Sequence, residues 1–155
     1  MMEASNKSTD YIHKSELLLL LNIIALFGIC LTLLMAFYYQ LFLNEIPCPL
    51  CQLQRVGLTM VGFGFALNCR FGVKPSHYGL IILSAILGAS ISLRQILLHI
   101  QPGDAGFGSA IFGIHMYSWG FVAFVVTIIF SALMLFWRNK YVNFQQDIRS
   151  KQMVT

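Results

Sequence analysis

The sequence predicts an all-α integral membrane protein, a four-helix bundle with both termini on the cytoplasmic side. Composition is the first observation: 57% of the 155 residues are hydrophobic and 10% are charged, against about 45–50% apolar and about 25% charged in soluble domains. Ten basic and six acidic side chains cannot cover the surface of a water-soluble fold of this size. Long uncharged runs supply the helix count, and a one-sided distribution of Lys and Arg supplies the orientation. A soluble enzyme, a disordered chain and a nucleic-acid binder are thereby excluded. The net charge of +4 marks a cytoplasmic membrane face rather than a nucleic-acid partner.

Leu17 to Tyr39 gives 23 residues without a charge, more than the roughly 20 that cross a hydrocarbon core of about 30 Å. Trp119 to Trp137 gives 19 more. Between them, Val56–Cys69 (14 residues) and Tyr78–Leu93 (16) are too short alone. Each reaches spanning length by running past one arginine, as Leu50–Cys69 through Arg55 and Tyr78–Leu98 through Arg94. The chain therefore divides into a cytoplasmic segment 1–16, a four-span domain 17–137 and a cytoplasmic tail 138–155. The first run is longer than the core of a signal peptide and no small-residue cleavage site follows it, so it is expected to remain in the mature protein.

Orientation follows from the remaining basic residues. Lys7 and Lys14 precede the first span, Arg70 and Lys74 separate the second and third, and Arg138, Lys140, Arg149 and Lys151 follow the fourth. All eight fall on one side, which the positive-inside rule makes cytoplasmic. The connections from Gln40 to about Leu50 and from His99 to Ser118 then face outward, with Arg55 and Arg94 just beneath that surface. Tyr38, Tyr39, Tyr117 and Trp119 mark the same boundary, as interfacial aromatics do.

Chemistry concentrates in the cysteines. Cys30 and Cys69 fall within the first span and at the inner end of the second, and read as buried or reduced thiols. Cys48-Pro49-Leu50-Cys51 lies on the oxidising outer side, where a Cys-x-x-Cys pairs readily and often carries a reactive thiol. The spacing also suits zinc or copper, but tetrahedral zinc needs two further ligands and the outer segments offer only His99 and His115. A purely structural disulfide is the plainer alternative, although so short a loop adds little stability. Arg55 follows Cys51 by four residues, so on a helix it shares that face one turn (about 5.4 Å) deeper. There it suits a thiolate or a carbonyl oxygen at the membrane surface; the alternative is an arginine that snorkels to the head groups.

Pro47-Cys48-Pro49-Leu50-Cys51-Gln52-Leu53-Gln54-Arg55 resembles the first outer loop and second-helix start of the disulfide bond formation protein B (DsbB) family. Ser92-Leu93-Arg94-Gln95-Ile96-Leu97-Leu98 is similar to the outer end of that family's third helix, where a histidine or glutamine approaches a quinone. Phe112-Gly113-Ile114-His115-Met116-Tyr117-Ser118-Trp119 is similar to the start of its fourth. The resemblance covers roughly residues 17–137. It implies a four-helix protein of the bacterial inner membrane that reoxidises a periplasmic DsbA-like thiol oxidase and passes the electrons to ubiquinone or menaquinone. By the same resemblance Cys48 and Cys51 are catalytic, with Cys48 expected on the accessible partner side and Cys51 on the quinone side. Arg55, Gln95 and Met116 are implied around the quinone, and no metal is implied.

The chain departs from the pattern in its second outer segment. That segment normally carries a further cysteine pair, whereas Gln101–Ile111 has none here, and Gly103, Gly106 and Gly108 suggest a short flexible link. Tyr117 stands where proline is common. Two other functional classes remain open on the residues alone: a Cu(I)-binding or metal-site accessory protein using the soft thiolates, and a reductase running electrons outward. Only Met116 and Met35 of the seven methionines lie near the outer face, and Cys30 and Cys69 differ in depth by about half a membrane.

Overall fold

Uncharged runs of this length become helices because lipid offers no partner for backbone N–H and C=O groups, which must be satisfied within the segment. The computed structural model describes the backbone of residues 2–42, 48–101, 110–111 and 113–153, and the side chains of residues 15–42, 48–101 and 113–138. Four helices form: α1 (Met2–Phe42), α2 (Pro49–Phe71), α3 (Pro75–Leu98) and α4 (Met116–Met153). Two short strands, β1 (Ala110–Ile111) and β2 (Ile114–His115), pair antiparallel just before α4. The segments long and apolar enough to cross a membrane are Ser15–Phe42, Pro49–Phe71, Pro75–Leu98 and Met116–Arg138.

Local chemistry sets the boundaries. Pro49 and Pro75 open α2 and α3, where a missing N–H costs nothing and a fixed φ favours the helix. Gly72 ends α2 with φ +79°, and Gly113 turns β1 into β2 with φ +78°; both values favour glycine. The helices overrun the apolar runs, since α1 begins at Met2 and α4 continues to Met153. Glu45, Pro47, Gly103, Asp104, Gly106, Gly108 and Phe112 lie outside the described residues. So do the side chains of Lys7, Lys14, Lys140, Arg149 and Lys151.

α2 packs between α1 and α3, and α3 packs in turn on α4. The core at these seams is built from Val61, Phe65, Ile81, Ala85 and Phe124. Small residues allow the approach: a Cβ on Gly57 would stand 3.3 Å from both the Gly88 Cα and the Phe124 ring. Close backbone contact of this kind drives association where lipid removes the usual hydrophobic force. Outward, Phe27, Leu34, Leu83, Leu87 and Phe136 are each more than 60% exposed. So large an apolar surface is what a bilayer covers.

At the end of the bundle opposite Cys48, three fully buried polar side chains from three helices satisfy one another. Asn22 donates to the Tyr78 hydroxyl (2.8 Å) and to the Leu18 carbonyl (2.7 Å). Asn68 donates to Asn22 Oδ1 (2.9 Å), while its own Oδ1 accepts from the Lys74 N–H (3.3 Å) and lies 3.0 Å from His77 Nδ1. Arg138 ties α4 to the same turn through the Val73 carbonyl (3.1 Å). The bundle is thus pinned by a polar network at one end and is free to carry chemistry at the other.

Candidate redox site

The site is organised by the first turn of α2. Cys48 is the N-cap, with extended backbone (φ −69°, ψ 155°), and its Sγ accepts the Cys51 N–H at 3.0 Å. One helical turn brings positions three apart together. Cys48 and Cys51 are disulfide-bonded, with Cα atoms 5.1 Å apart. A helix N-terminus favours negative charge, so a thiolate released here sits in a stabilising field.

α3 supplies the next layer. Gln95, 1% exposed, donates its amide NH2 toward both sulfurs, with Nε2 at 3.2 Å from Cys48 Sγ and 3.3 Å from Cys51 Sγ. Its Oε1 accepts a 2.8 Å hydrogen bond from Nε2 of Gln54, itself 7% exposed. The Gln54 side chain lies over Gly120 of α4, where an added Cβ would stand 3.1 Å from its Oε1. Two amides and a disulfide therefore form one chain of contacts across α2, α3 and α4.

Arg55 takes the other side of α2. Its guanidinium donates to the Gln40 side chain and to the Ala36 carbonyl (2.9 Å), and its charged carbon stands 5.1 Å from the Phe37 ring centre. It is anchored on α1, so it neither drifts free in the head-group region nor lies directly on the disulfide. Beside it the outer half of α1 carries an apolar groove of about 430 Å³, lined by residues including Leu34, Phe37, Tyr38 and Leu41. The structure thus brings Cys48, Cys51 and Gln95 together and turns Arg55 toward α1. Met116 is the partly buried first residue of α4, outside the hydrogen-bonded group.

One expectation is corrected. Cys48, anticipated as the accessible sulfur, is 8% exposed, whereas Cys51 is only partly buried. The cause is the N-cap geometry, which folds the Cys48 side chain back over the helix start and against Gln95. A thiol reaching Cys48 must first displace what covers it. Cys51 already presents surface.

His115 stacks on the buried Tyr117 with ring centres 5.3 Å apart, and His99 lies tilted against the same ring at 5.8 Å. Among the described residues no group of three or more His, Cys, Asp or Glu is placed to hold a metal. Cys30 and Cys69 are free thiols, exposed and partly buried respectively. Gln54 was not singled out from sequence. Its signal was there: an uncharged polar residue three positions after Cys51 in a membrane span must find a partner when buried.

A four-helix bundle with a broad apolar exterior, a disulfide capping one helix and one buried amide on both sulfurs defines a multi-pass membrane protein with a thiol–disulfide centre. The family model described as "Disulfide bond formation protein DsbB" matches residues 18–109, and the chain belongs to that family, whose members sit in the bacterial inner membrane. Disulfide bond formation protein B of Chromobacterium violaceum is 42% identical over 74 residues, covering 44% of each chain. That of Pseudomonas syringae pv. tomato is 36% identical over 106 residues, covering 64% of this chain and 59% of the relative. Disulfide bond formation protein B 1 of Pseudomonas fluorescens is 30% identical over 136 residues, covering 65% and 80%. The chain thus spans about half the length of the first two relatives. No solved structure matches it.

Proposed function

We propose that this chain is a thiol:quinone oxidoreductase that oxidises the dithiol of a periplasmic DsbA-like partner at Cys48–Cys51. The observation that carries the reading is the disulfide at the N-terminus of a membrane-spanning helix, with an amide donor on both sulfurs. A partner thiolate attacks one sulfur and the other leaves as a thiolate. The second partner thiol then resolves the mixed disulfide. Two electrons and two protons leave the partner, and Cys48 and Cys51 become thiols. Exchange of this kind is favoured when the leaving thiolate is stabilised, and the Gln95 NH2, within reach of both sulfurs, supplies that stabilisation whichever sulfur leaves.

Ubiquinone or menaquinone, when bound, supplies a two-electron acceptor from the lipid phase. The donor set fits such a group. Arg55 carries a fixed positive charge at the membrane boundary, one turn from the partly exposed Cys51, with apolar surface along α1 beside it. Arg55 would hold a quinone oxygen and stabilise negative charge developing there, and Met116 would provide an apolar wall. Gln95 is assigned to the sulfurs, which its NH2 reaches directly. Cys51 faces the quinone side, in keeping with its exposure, and Cys48 exchanges with the partner once uncovered. The basic residues at the opposite end support a periplasmic face for the site, with residues 17–137 as the part that carries the activity. Because Gln101–Ile111 contains no cysteine, the partner exchanges directly with Cys48–Cys51.

The test is purification in lipid nanodiscs followed by extraction for quinone and elemental analysis for copper. Bound quinone without copper supports the oxidase. Stoichiometric copper without quinone replaces it with a metal-binding protein.

A further inference from the structure

We propose that Gln54 is a positioning residue that sets the oxidising strength of the Cys48–Cys51 couple by fixing the orientation of the Gln95 amide. The inference rests on the reading that this couple is redox-active. A side-chain amide presents two donors on one end and an acceptor on the other. Disulfide sulfurs and thiolates only accept. Gln95 therefore helps the couple in one orientation alone, NH2 toward the sulfurs, which is the one observed at 3.2 and 3.3 Å.

What enforces that orientation is Gln54. Its Nε2 donates to Gln95 Oε1 at 2.8 Å, and turning Gln95 over would set NH2 against NH2 and oxygen against sulfur. With Gln95 at 1% and Gln54 at 7% exposure, water cannot readily substitute for either contact. Gln54 is free to play this part because its own oxygen faces Gly120, which has no side chain to compete. Buried amide networks of this kind polarise along their length.

The consequence falls on the reduced state. When the Cys48–Cys51 bond accepts two electrons, negative charge appears on sulfur before protons arrive. An NH2 aimed at both sulfurs stabilises it. A dithiol whose reduced form is stabilised makes a more oxidising disulfide, as the DsbA couple illustrates. Oxidising such a partner needs a couple of comparable strength, and Gln54 contributes to it without touching either sulfur.

The experiment uses the full chain in detergent with Cys30 and Cys69 replaced by alanine. Glutathione redox buffers without quinone give the equilibrium constant of the Cys48–Cys51 couple. The pH profile of thiol alkylation gives the thiolate midpoint. Gln54→Met and Gln54→Leu each remove the donor to Gln95 Oε1. Each should weaken the oxidant about tenfold, roughly 30 mV for a two-electron couple, and raise the thiolate midpoint. In a Gln95→Met background, Gln54→Met should add nothing, since coupled residues are non-additive. An unchanged constant and pH profile in either folded Gln54 variant overturns the proposal, as does full additivity with Gln95→Met; should one variant not fold, the other decides. A parent couple that does not equilibrate reversibly with glutathione would instead count against the redox reading itself.

Discussion

Replacing Arg55 with methionine separates the α1 contacts this arginine makes from the quinone-binding role proposed for it. On the structural side it loses hydrogen bonds to the Gln40 side chain and the Ala36 carbonyl and its position over Phe37. Hydrogen bonds between membrane helices average about 0.6 kcal/mol, and an exposed cation–π contact adds about 0.5–1 kcal/mol. Those losses are of order 2 kcal/mol. Removing the charge returns part of it, because an arginine costs about 2.5–3.5 kcal/mol at the centre of a span and less near its end. The net effect on folding is therefore about 1 kcal/mol or less. On the functional side, a hydrogen bond to a charged group is worth about 1.5–3 kcal/mol, so quinone use should fall roughly tenfold to a hundredfold. Steady-state reduction of a soluble ubiquinone analogue, beside thermal unfolding of the same sample, measures both. Gln40→Met is the control: it loosens the α1 contact and should leave quinone kinetics within a few-fold. Lowered stability with unchanged quinone kinetics in Arg55→Met would reduce Arg55 to an anchor for α1.

Further predictions address topology, chemistry and the polar network. Single cysteines at Glu45 and Gly106 should react with an impermeant thiol reagent from the periplasmic side, and one at Lys74 should not; labelling of Lys74 from outside would invert the bundle. Cys48→Ser or Cys51→Ser should abolish thiol oxidation, while Cys30→Ala with Cys69→Ala should retain most of it. Cys51→Ser should accumulate a mixed disulfide through Cys48 with a thioredoxin-like partner, seen as a shift on a non-reducing gel, and an adduct through Cys51 alone would reverse their roles. Asn68→Leu should destabilise the bundle by about 1–3 kcal/mol, the cost of stranding buried polar groups, because it deprives Asn22 and the Lys74 N–H of partners; thermal unfolding in detergent would show it.

The four spans were legible because charge is so costly in lipid that sixteen charged residues suffice to outline them. Pro49 and Pro75 even mark where α2 and α3 begin. The Cys-x-x-Cys was legible for a different reason: two thiols three positions apart on the oxidising side pair readily, and the structure pairs them. What the sequence could not supply was direction around each helix. Arg55 shares a face with Cys51 on a helical wheel, but its long side chain reaches sideways to Ala36 and Gln40 on α1, and no periodicity encodes that choice. Gln54, its neighbour, turns the other way to Gln95. The burial of Cys48 was hidden too, since loop position suggests access while N-capping pulls the side chain inward. Likewise Asn22 and Asn68 look misplaced in apolar spans until Tyr78 and each other are found beside them.

The central claim is that electrons pass from a partner dithiol through Cys48–Cys51 to a quinone. The most direct measurement is stopped-flow absorbance of ubiquinone reduction when nanodisc-embedded protein meets a reduced DsbA-like thioredoxin-fold protein, with partner thiols counted at the end. The account predicts one quinone reduced for each partner disulfide formed, and neither event with Cys48→Ser or Cys51→Ser. Partner oxidation without quinone reduction, or quinone reduction that survives loss of both cysteines, would contradict it.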